Sequence, residues 1–106
     1  MTYVYIIGRD DGPVKIGVSH DPPKRLATLQ SGCPFRLSLL HQVKARNVDH
    51  AYTMEHQCHR LYADHRLVGE WFKIDADTAR SAVDICFDTE AHFKARATLE
   101  GVSWPA

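Results

Sequence analysis

The stretch VYIIGRDDGPVKIGVS, residues 4–19, predicts a β-hairpin and raises the question of what this chain does. Both of its ends are rich in the β-branched and aromatic residues that strands prefer. Its central RDDGP segment supplies the Asp, Gly and Pro residues that favour a tight reversal of the chain. The hairpin also places a phenol, Tyr5, and an ammonium group, Lys15, among residues that belong in a core. A small domain needs a reason to hold both groups there.

The length of the hairpin turn decides whether Tyr5 and Lys15 can act together. Side chains alternate between the two faces of a strand, so a slip of one residue in the pairing moves every side chain to the other face. A regular four-residue loop, RDDG, would put Tyr5 and Lys15 on opposite faces. We therefore expect a turn with an odd number of residues, or a bulge, if the two side chains share a site.

The segment after the hairpin carries the start and stop signals of a helix. In HDPPKRLATLQSG, Asp21 is a candidate N-cap, Pro22 suits the first helical position, and Gly32 suits the end. The following RLSLLHQVKA predicts a third strand.

A second helix is predicted to begin at Asn47 or Asp49 and to continue through about Tyr62. One of its faces carries apolar residues at helical spacing, which predicts a core face. Beside that face runs a second stripe in which Glu55 and His59 lie one helical turn apart. A carboxylate next to an apolar stripe needs a partner, so Glu55 is a candidate for a functional role.

The last third of the chain predicts an aromatic segment, GEWFKI, and a third helix opened by Asp75 or Asp77. The tail is expected to fray unless Trp104 docks on the body. The predicted order is β-β-α-β-α-(β)-α, an α+β domain with a small, mainly antiparallel three-stranded sheet flanked by helices. We expect one domain over residues 1–106, with a core at about 2–75 and a C-terminal helix and tail at 76–106.

Charge and composition restrict the classes of partner. The 106 residues carry 13 Lys or Arg and 13 Asp or Glu, which argues against a strong nonspecific hold on nucleic acid. Residues 1–72 carry a net +2 and residues 73–106 a net −2, so an anionic partner should meet the first two-thirds of the chain. No apolar run could span a bilayer and no secretion signal precedes the fold. We therefore expect no membrane contact, a cytoplasmic protein, and free thiols at its three cysteines.

Five fragments stand in one order along the chain. They are Tyr5 in VYI, KIG at 15–17, DPPKRLATLQ with Arg25, Glu55 in MEHQCH, and GEWF at 69–72. Together they resemble the GIY-YIG nuclease superfamily over about residues 2–75. The resemblance is closest to the phage and bacterial subgroup with KIG in place of YIG and a closing EWF motif. The chain departs from the superfamily pattern in three ways: Tyr3-Val4-Tyr5 stands for Gly-Ile-Tyr, Lys15 stands for a tyrosine, and no late asparagine follows Trp71.

The resemblance implies a metal-dependent endonuclease that hydrolyses DNA phosphodiester bonds, nicking or cleaving its substrate. In that case Glu55 holds one divalent cation, Mg²⁺ or Mn²⁺, for which a carboxylate is a suitable hard ligand. Arg25 binds phosphate oxygens, since a guanidinium stays protonated at any working pH. Tyr5 polarises or deprotonates the attacking water, and Lys15 is the expected cation that lowers the phenol pKa from about 10.

Four further residues are expected to support this site. His59 could hold a water or contact a phosphate from the helix that carries Glu55, and His20 could do so from the start of the first helix. Lys24 is a candidate phosphate contact. Gly17 is expected to allow a close approach at the site that a side chain would block.

Two alternatives stay open at the level of sequence. The chain could be a catalytically degenerate GIY-YIG-like module that binds nucleic acid or another protein, which the near-zero charge favours. A zinc site could use the His and Cys residues crowded into one region, although no paired CxxC or HExxH motif supports it. Those residues are His50, His56, Cys58, His59 and His65. DNA is the expected partner, and a homodimer or a targeting protein also remains open.

Overall fold

A computed structural model describes the backbone of residues 1–100 and the side chains of residues 1–88. The expectation about Trp104 lies outside the described residues. The described chain contains four strands, three α-helices and one short 3₁₀ turn. In chain order these are β1 (Tyr3–Gly8), β2 (Val14–Ser19), α1 (Pro22–Ser31), β3 (Ser38–Lys44), α2 (Val48–Leu61), the 3₁₀ turn (Ala63–His65), β4 (Trp71–Phe72) and α3 (Ala76–Glu100).

The hairpin has the odd turn that the sequence requires. Gly8 pairs with Val14, which leaves the five residues 9–13 in the turn. Further along, Tyr5 lies opposite Gly17, and Lys15 lies opposite Ile7. Directly paired residues of an antiparallel ladder project to the same face. The expectation that Tyr5 and Lys15 share a face is therefore confirmed.

The four strands form one antiparallel sheet in the order β3-β1-β2-β4. The α+β class is confirmed, and the optional strand of the predicted order is present. It adds a fourth strand to the three that the sequence predicts, because Trp71 and Phe72 pair with Lys15 and Val14. This strand is only two residues long, so it covers the beginning of β2 alone.

A bulge in β3 interrupts its pairing with β1. Ile6 lies opposite His41 while Ile7 lies opposite Leu39, so Leu40 is an extra residue. As a result, two consecutive residues contact the α3 side. Leu40 packs on the core there, and the Nε2 atom of His41 lies 2.8 Å from Oδ1 of Asp84.

Helices cover both faces of the sheet. The larger core lies between the sheet and the helices α2 and α3, and the smaller core lies under α1. Strand alternation explains the division: Val4 and Ile6 project into the larger core, whereas Tyr5 and Ile7 project into the smaller one. No helix within the described residues is long and apolar enough to cross a membrane.

Side chains cap the start of each helix as the sequence suggests. Each cap accepts a hydrogen bond from the backbone N–H three residues ahead, which satisfies a donor that the helix leaves unpaired. Where the sequence left two choices, Asn47 and Asp75 are the caps. The three caps are Asp21 for α1, Asn47 for α2 and Asp75 for α3.

Candidate functional site

The phenol ring of Tyr5 crosses the neighbouring strand over Gly17. A Cβ atom built on Gly17 would lie 2.5 Å from the hydroxyl oxygen of Tyr5 and 2.7 Å from its Cζ atom. Any larger residue at this position would collide with the ring. Gly17 thus lets Tyr5 reach from β1 across β2. The close approach predicted at Gly17 exists, and the group that needs the space is the phenol itself.

Arg25, in the second turn of α1, is the cation beside the phenol. Its side chain donates a hydrogen bond to the Tyr5 hydroxyl. Burial raises the pKa of Tyr5 above its usual value, and the hydrogen bond and charge of Arg25 only partly offset that rise. The expectation that Lys15 lowers the pKa of Tyr5 is therefore wrong in two respects. The net shift is upward, and the opposing cation is Arg25.

Lys15 instead pairs with a carboxylate that lies 55 positions further along the chain. Its Nζ atom donates to Oε1 of Glu70 at 3.1 Å. Lys15 is only 7% exposed, so it needs such a partner. Glu70 lies directly before β4, and its carbonyl oxygen accepts a hydrogen bond from the backbone N–H of Ile16 at 3.2 Å. The approach of β4 to β2 thus delivers the carboxylate to the lysine.

Glu70 also contacts the carboxyl group of Glu55, which α2 brings to the same edge of the sheet. Burial and the hydrogen bond to Glu70 raise the pKa of Glu55 to about 8. Burial alone would also raise the pKa of Glu70, but hydrogen bonds from Lys15 and Glu55 outweigh it and hold that pKa below its usual value. Near pH 7 Glu55 therefore keeps its proton and donates it to the Glu70 carboxylate.

His59 lies one turn after Glu55 and contacts the same edge of β2. Its Nε2 atom lies 2.9 Å from the carbonyl oxygen of Ile16. Because a carbonyl oxygen can only accept, Nε2 carries the proton and Nδ1 carries the lone pair. Burial lowers the pKa of His59, so the ring is neutral near pH 7. A neutral imidazole can accept a hydrogen bond or bind a metal ion.

Glu55, His59 and Glu70 have the geometry and chemistry to hold a small divalent cation. One potential ligand atom from each of them lies within 4.8 Å of the others. The two carboxylates suit Mg²⁺ or Mn²⁺, whereas the imidazole is a ligand more typical of transition metals. A cation bound there would displace the proton that the two carboxyl groups share. The residues present therefore fit the metal that the sequence resemblance implies.

Comparison with known protein families assigns the chain to one of them. Residues 2–87 match the family model of the T5orf172 domain. The chain belongs to the T5orf172 domain family. This is a phage-associated domain related to nuclease folds. The match extends through β4 and into α3, and so includes every residue of the site just described. No curated protein and no solved structure matches the chain significantly.

Within this T5orf172 domain, six of the eight predicted site residues lie at one edge of the sheet and two lie apart from it. The six are Tyr5, Lys15, Gly17, Arg25, Glu55 and His59. His20 is exposed and its Nδ1 atom lies 2.9 Å from the carbonyl oxygen of Met1. Lys24 is also exposed, on the first turn of α1.

Glu70 is the site residue that sequence reasoning missed. It appears in the sequence only as part of the GEWF motif, and nothing local marks it as a partner of Lys15. The available signal was Lys15 itself. A lysine within a buried strand requires a carboxylate partner, and Glu70 precedes an aromatic pair that could join that strand.

The His and Cys residues of the zinc alternative do not come together among the side chains of residues 1–88. Within that range the group close enough to share an ion is Glu55, His59 and Glu70. Cys58 lies in the larger core, where its thiol contacts that of Cys86 at 3.5 Å. His50 is buried at the start of α2, and its Nδ1 atom accepts a hydrogen bond from the backbone of Arg46.

Proposed function

We propose that this T5orf172 domain is a metal-dependent endonuclease that hydrolyses DNA phosphodiester bonds at a GIY-YIG-type site. One observation carries the proposal. Side chains from β1, β2, α1 and α2, far apart in sequence, meet at one edge of the sheet. Three of them bear the chemistry that the reaction needs: a phosphate-binding cation, Arg25; a metal-binding carboxylate, Glu55; and a hydroxyl beside both, Tyr5.

The ion pair between Lys15 and Glu70 supports the KIG and EWF subgroup in particular. In that subgroup a lysine replaces the tyrosine of the second motif, and a Glu-Trp-Phe motif closes the core. Here these two features are in contact, because Nζ of Lys15 lies 3.1 Å from Oε1 of Glu70. Lys15, which replaces the tyrosine of the second motif, therefore forms an ion pair with Glu70 of the closing motif.

In the proposed mechanism Arg25 binds the scissile phosphate through its guanidinium, which is exposed and already oriented by the Tyr5 hydroxyl. Glu55 would hold one Mg²⁺ or Mn²⁺, with His59 and Glu70 as further ligand candidates. When bound, the cation stabilises the charge that develops on the leaving oxygen.

Tyr5 and His59 are the groups that can handle the attacking water. The raised pKa of Tyr5 keeps its hydroxyl protonated near neutral pH, so it orients the water by hydrogen bonding and does not remove the proton. The neutral ring of His59 has a lone pair on Nδ1. If Nδ1 is not a metal ligand, it can accept the proton of the attacking water.

Incubation with supercoiled plasmid in Mg²⁺ or Mn²⁺ tests the proposal. The wild-type protein should nick the plasmid, and Glu55→Gln should lower the rate at least about 100-fold. Glu55→Gln preserves the size of the side chain and its hydrogen-bond donor, and Asp64→Asn removes an exposed carboxylate elsewhere as a matched control. Wild-type protein that never nicks in either metal, or Glu55→Gln that nicks normally, overturns the proposal.

A second candidate function is a nucleic-acid-binding or protein-interaction module that has lost cutting. The contact that favours it is again Lys15 with Glu70, because the ammonium neutralises a carboxylate that a metal would otherwise use. Binding to DNA in a mobility-shift assay without nicking would support this module. A homodimer or a targeting protein is a further proposed partner, and the cytoplasm is the proposed location.

A further inference from the structure

A continuous basic segment leads away from the candidate site along α1. Residues 22–48 contain five Lys or Arg and no Asp or Glu. All five cations are exposed. Lys24 and Arg25 lie near the start of α1, and Arg36 lies in the loop that follows it. Arg46 lies over the ring of Phe87 on the α3 side, so the cations of the α1 side are Lys24, Arg25 and Arg36. These three can accept an anionic chain without repulsion from carboxylates of their own segment.

An exposed aromatic ring stands at the far end of this path. Phe35 is 58% exposed, although it lies in a loop with a fixed course. The side chain of Gln30 fixes that loop through hydrogen bonds to backbone groups on either side of the ring. Its Nε2 donates to the carbonyl oxygens of Phe35 at 2.8 Å and Cys33 at 3.4 Å, and its Oε1 accepts from the N–H of Leu37 at 2.7 Å. The ring is thus held out to solvent by an ordered loop.

A guanidinium group covers part of the same ring. The Cζ atom of Arg9, in the hairpin turn, lies 5.3 Å from the centroid of Phe35. Asp11 holds that guanidinium in place, with Oδ1 at 3.2 Å from Nε and Oδ2 at 3.4 Å from Nη2. Asp11 also cancels the charge of Arg9, so what Arg9 offers at this point is a flat surface beside the ring. A ring and a guanidinium plane are the surfaces on which unpaired bases stack.

We propose that Phe35 and Arg9 stack an unpaired base of the DNA strand whose phosphate binds at Arg25, so that the substrate has a single-stranded stretch near the cleavage position. The inference rests on the proposed function for the role of Arg25. From Arg25 to the end of α1 at Ser31 the helix rises about 9 Å. At about 3.4 Å per stacked nucleotide, the part of α1 beyond Arg25 alone spans about two to three nucleotides.

Fluorescence anisotropy in EDTA tests this inference without any cleavage. The probes are a labelled hairpin duplex with a short single-stranded tail, the same duplex with a blunt end, and the tailed duplex with abasic sites in the tail. The variants are Phe35→Ala, Phe35→Trp and, as a matched control, Tyr52→Ala. Tyr52 is an aromatic residue of similar exposure, 52%, on α2.

Loss of one stacked base costs about 5- to 150-fold in affinity. Phe35→Ala should therefore bind the tailed duplex that much more weakly and bind the blunt duplex as the wild type does. Abasic sites in the tail should remove the difference between wild type and Phe35→Ala. Phe35→Trp should keep wild-type affinity, and Tyr52→Ala should change nothing.

The inference is overturned if Phe35→Ala affects tailed and blunt DNA equally, has no effect, or matches Tyr52→Ala. Failure of the wild type to bind the tailed duplex also overturns it. Failure of the proposed function is distinguishable, because it appears in the nicking assay as missing cleavage or as indifference to Glu55→Gln. If the protein stacks the tail through Phe35 but never nicks, the stacking surface is supported and the endonuclease proposal alone is overturned.

Discussion

The position of the Tyr5 phenol depends on one missing side chain, at Gly17. Gly17→Ala would place a Cβ atom 2.5 Å from the Tyr5 hydroxyl oxygen, so the ring must move and its hydrogen bond with Arg25 must change. Crowding of this kind costs about 1–3 kcal/mol of unfolding free energy. Displacement of the phenol should also lower the nicking rate about 100-fold. Urea unfolding and the plasmid assay measure the two effects.

Gly32→Ala is the matched control for that substitution. Nothing lies within 4 Å of a Cβ atom built on Gly32, and its φ of −103° suits any residue. The control should therefore unfold and nick as the wild type does. If Gly17→Ala behaves like Gly32→Ala in both assays, the position of the Tyr5 phenol does not depend on the missing side chain at Gly17.

The shared proton of Glu55 predicts how stability changes with pH in metal-free protein. The pKa of Glu55 rises from 4.5 to about 8 on folding, so the folded state holds this proton more tightly than the unfolded state. The associated stability is fully present below about pH 4.5 and is lost as pH rises toward about 8. Glu55→Gln has no titrating group there and should lack this decline. Urea unfolding in EDTA between pH 5 and about 8 provides the comparison.

His59 acts in the opposite direction within part of that range. Its pKa is lowered on folding, so its contribution to stability increases as pH rises through about 6.5. Because His59 is present in both proteins, the difference between wild type and Glu55→Gln isolates the carboxyl group. Identical slopes for the two proteins would show that Glu55 does not hold the proton.

At the level of elements, the cap of α3 predicts a second pH effect, at acidic pH. Asp75 accepts a hydrogen bond from the backbone N–H of Thr78 at 2.7 Å, and hydrogen bonds from Thr78 lower the pKa of this exposed carboxylate below 3.8. Its contribution is present above pH 3.8 and disappears as pH falls through the lowered pKa. Asp75→Ala should therefore lower the Tm at pH 7 and make a smaller difference at about pH 3.

Asp75→Asn serves as the control for the charge of this cap. Asparagine is also a good N-cap but does not titrate in this range. Asp75→Asn should retain most of the wild-type Tm at pH 7. Its cap should keep its contribution to stability as the pH falls. A Tm difference between wild type and Asp75→Ala that is unchanged down to about pH 3 would contradict the capping role.

The elements that could be predicted from the sequence are the ones specified locally. Caps, turn residues and strand alternation give the hairpin, its odd turn and the starts of all three helices. The bulge at Leu40 has no such local marker, because β3 keeps an ordinary strand composition through it. The pairing of β4 with β2 has only an indirect signal, the need of Lys15 for a carboxylate partner, since two residues carry too little pattern to assign a partner strand.

The same limit explains which parts of the candidate site could be foreseen. Tyr5, Arg25 and Glu55 stand in recognisable motifs, so their grouping follows from the resemblance. The partners of each side chain depend on the long-range pairing of β4, which brings Glu70 to Lys15 and Glu55. For that reason the sequence predicts Lys15 as the cation that acts on the Tyr5 phenol, whereas the fold places Arg25 there.

At the level of the whole molecule, the helices on the two faces of the sheet bury cores of different size. Among the side chains of residues 1–88, the α2 and α3 side contains 13 buried core residues, against three on the α1 side. In α1 itself Pro22 alone is buried, whereas α2 buries four of its residues. The α1 layer is therefore expected to open at a lower free-energy cost than the rest of the domain.

Hydrogen–deuterium exchange tests this difference. Amides of α1 should exchange through a low-energy local opening, and amides in the middle of α2 should exchange only near the global unfolding free energy. Equal protection of the two helices would contradict the expectation. A soft α1 layer would allow Arg25 and the loop of Phe35 to adjust to a bound strand while the carboxyl groups on α2 stay fixed.

The contact between the thiols of Cys58 and Cys86 gives the larger core a built-in chemical reporter. Both sulfur atoms are buried where α2 meets α3, while Cys33 is only half-buried beside the smaller core. A disulfide reagent in solution should consume the Cys33 thiol early and reach the other two only when the α2–α3 layer separates. The slow phase of such a titration would then measure the rate at which α2 and α3 separate, with no label added to the protein.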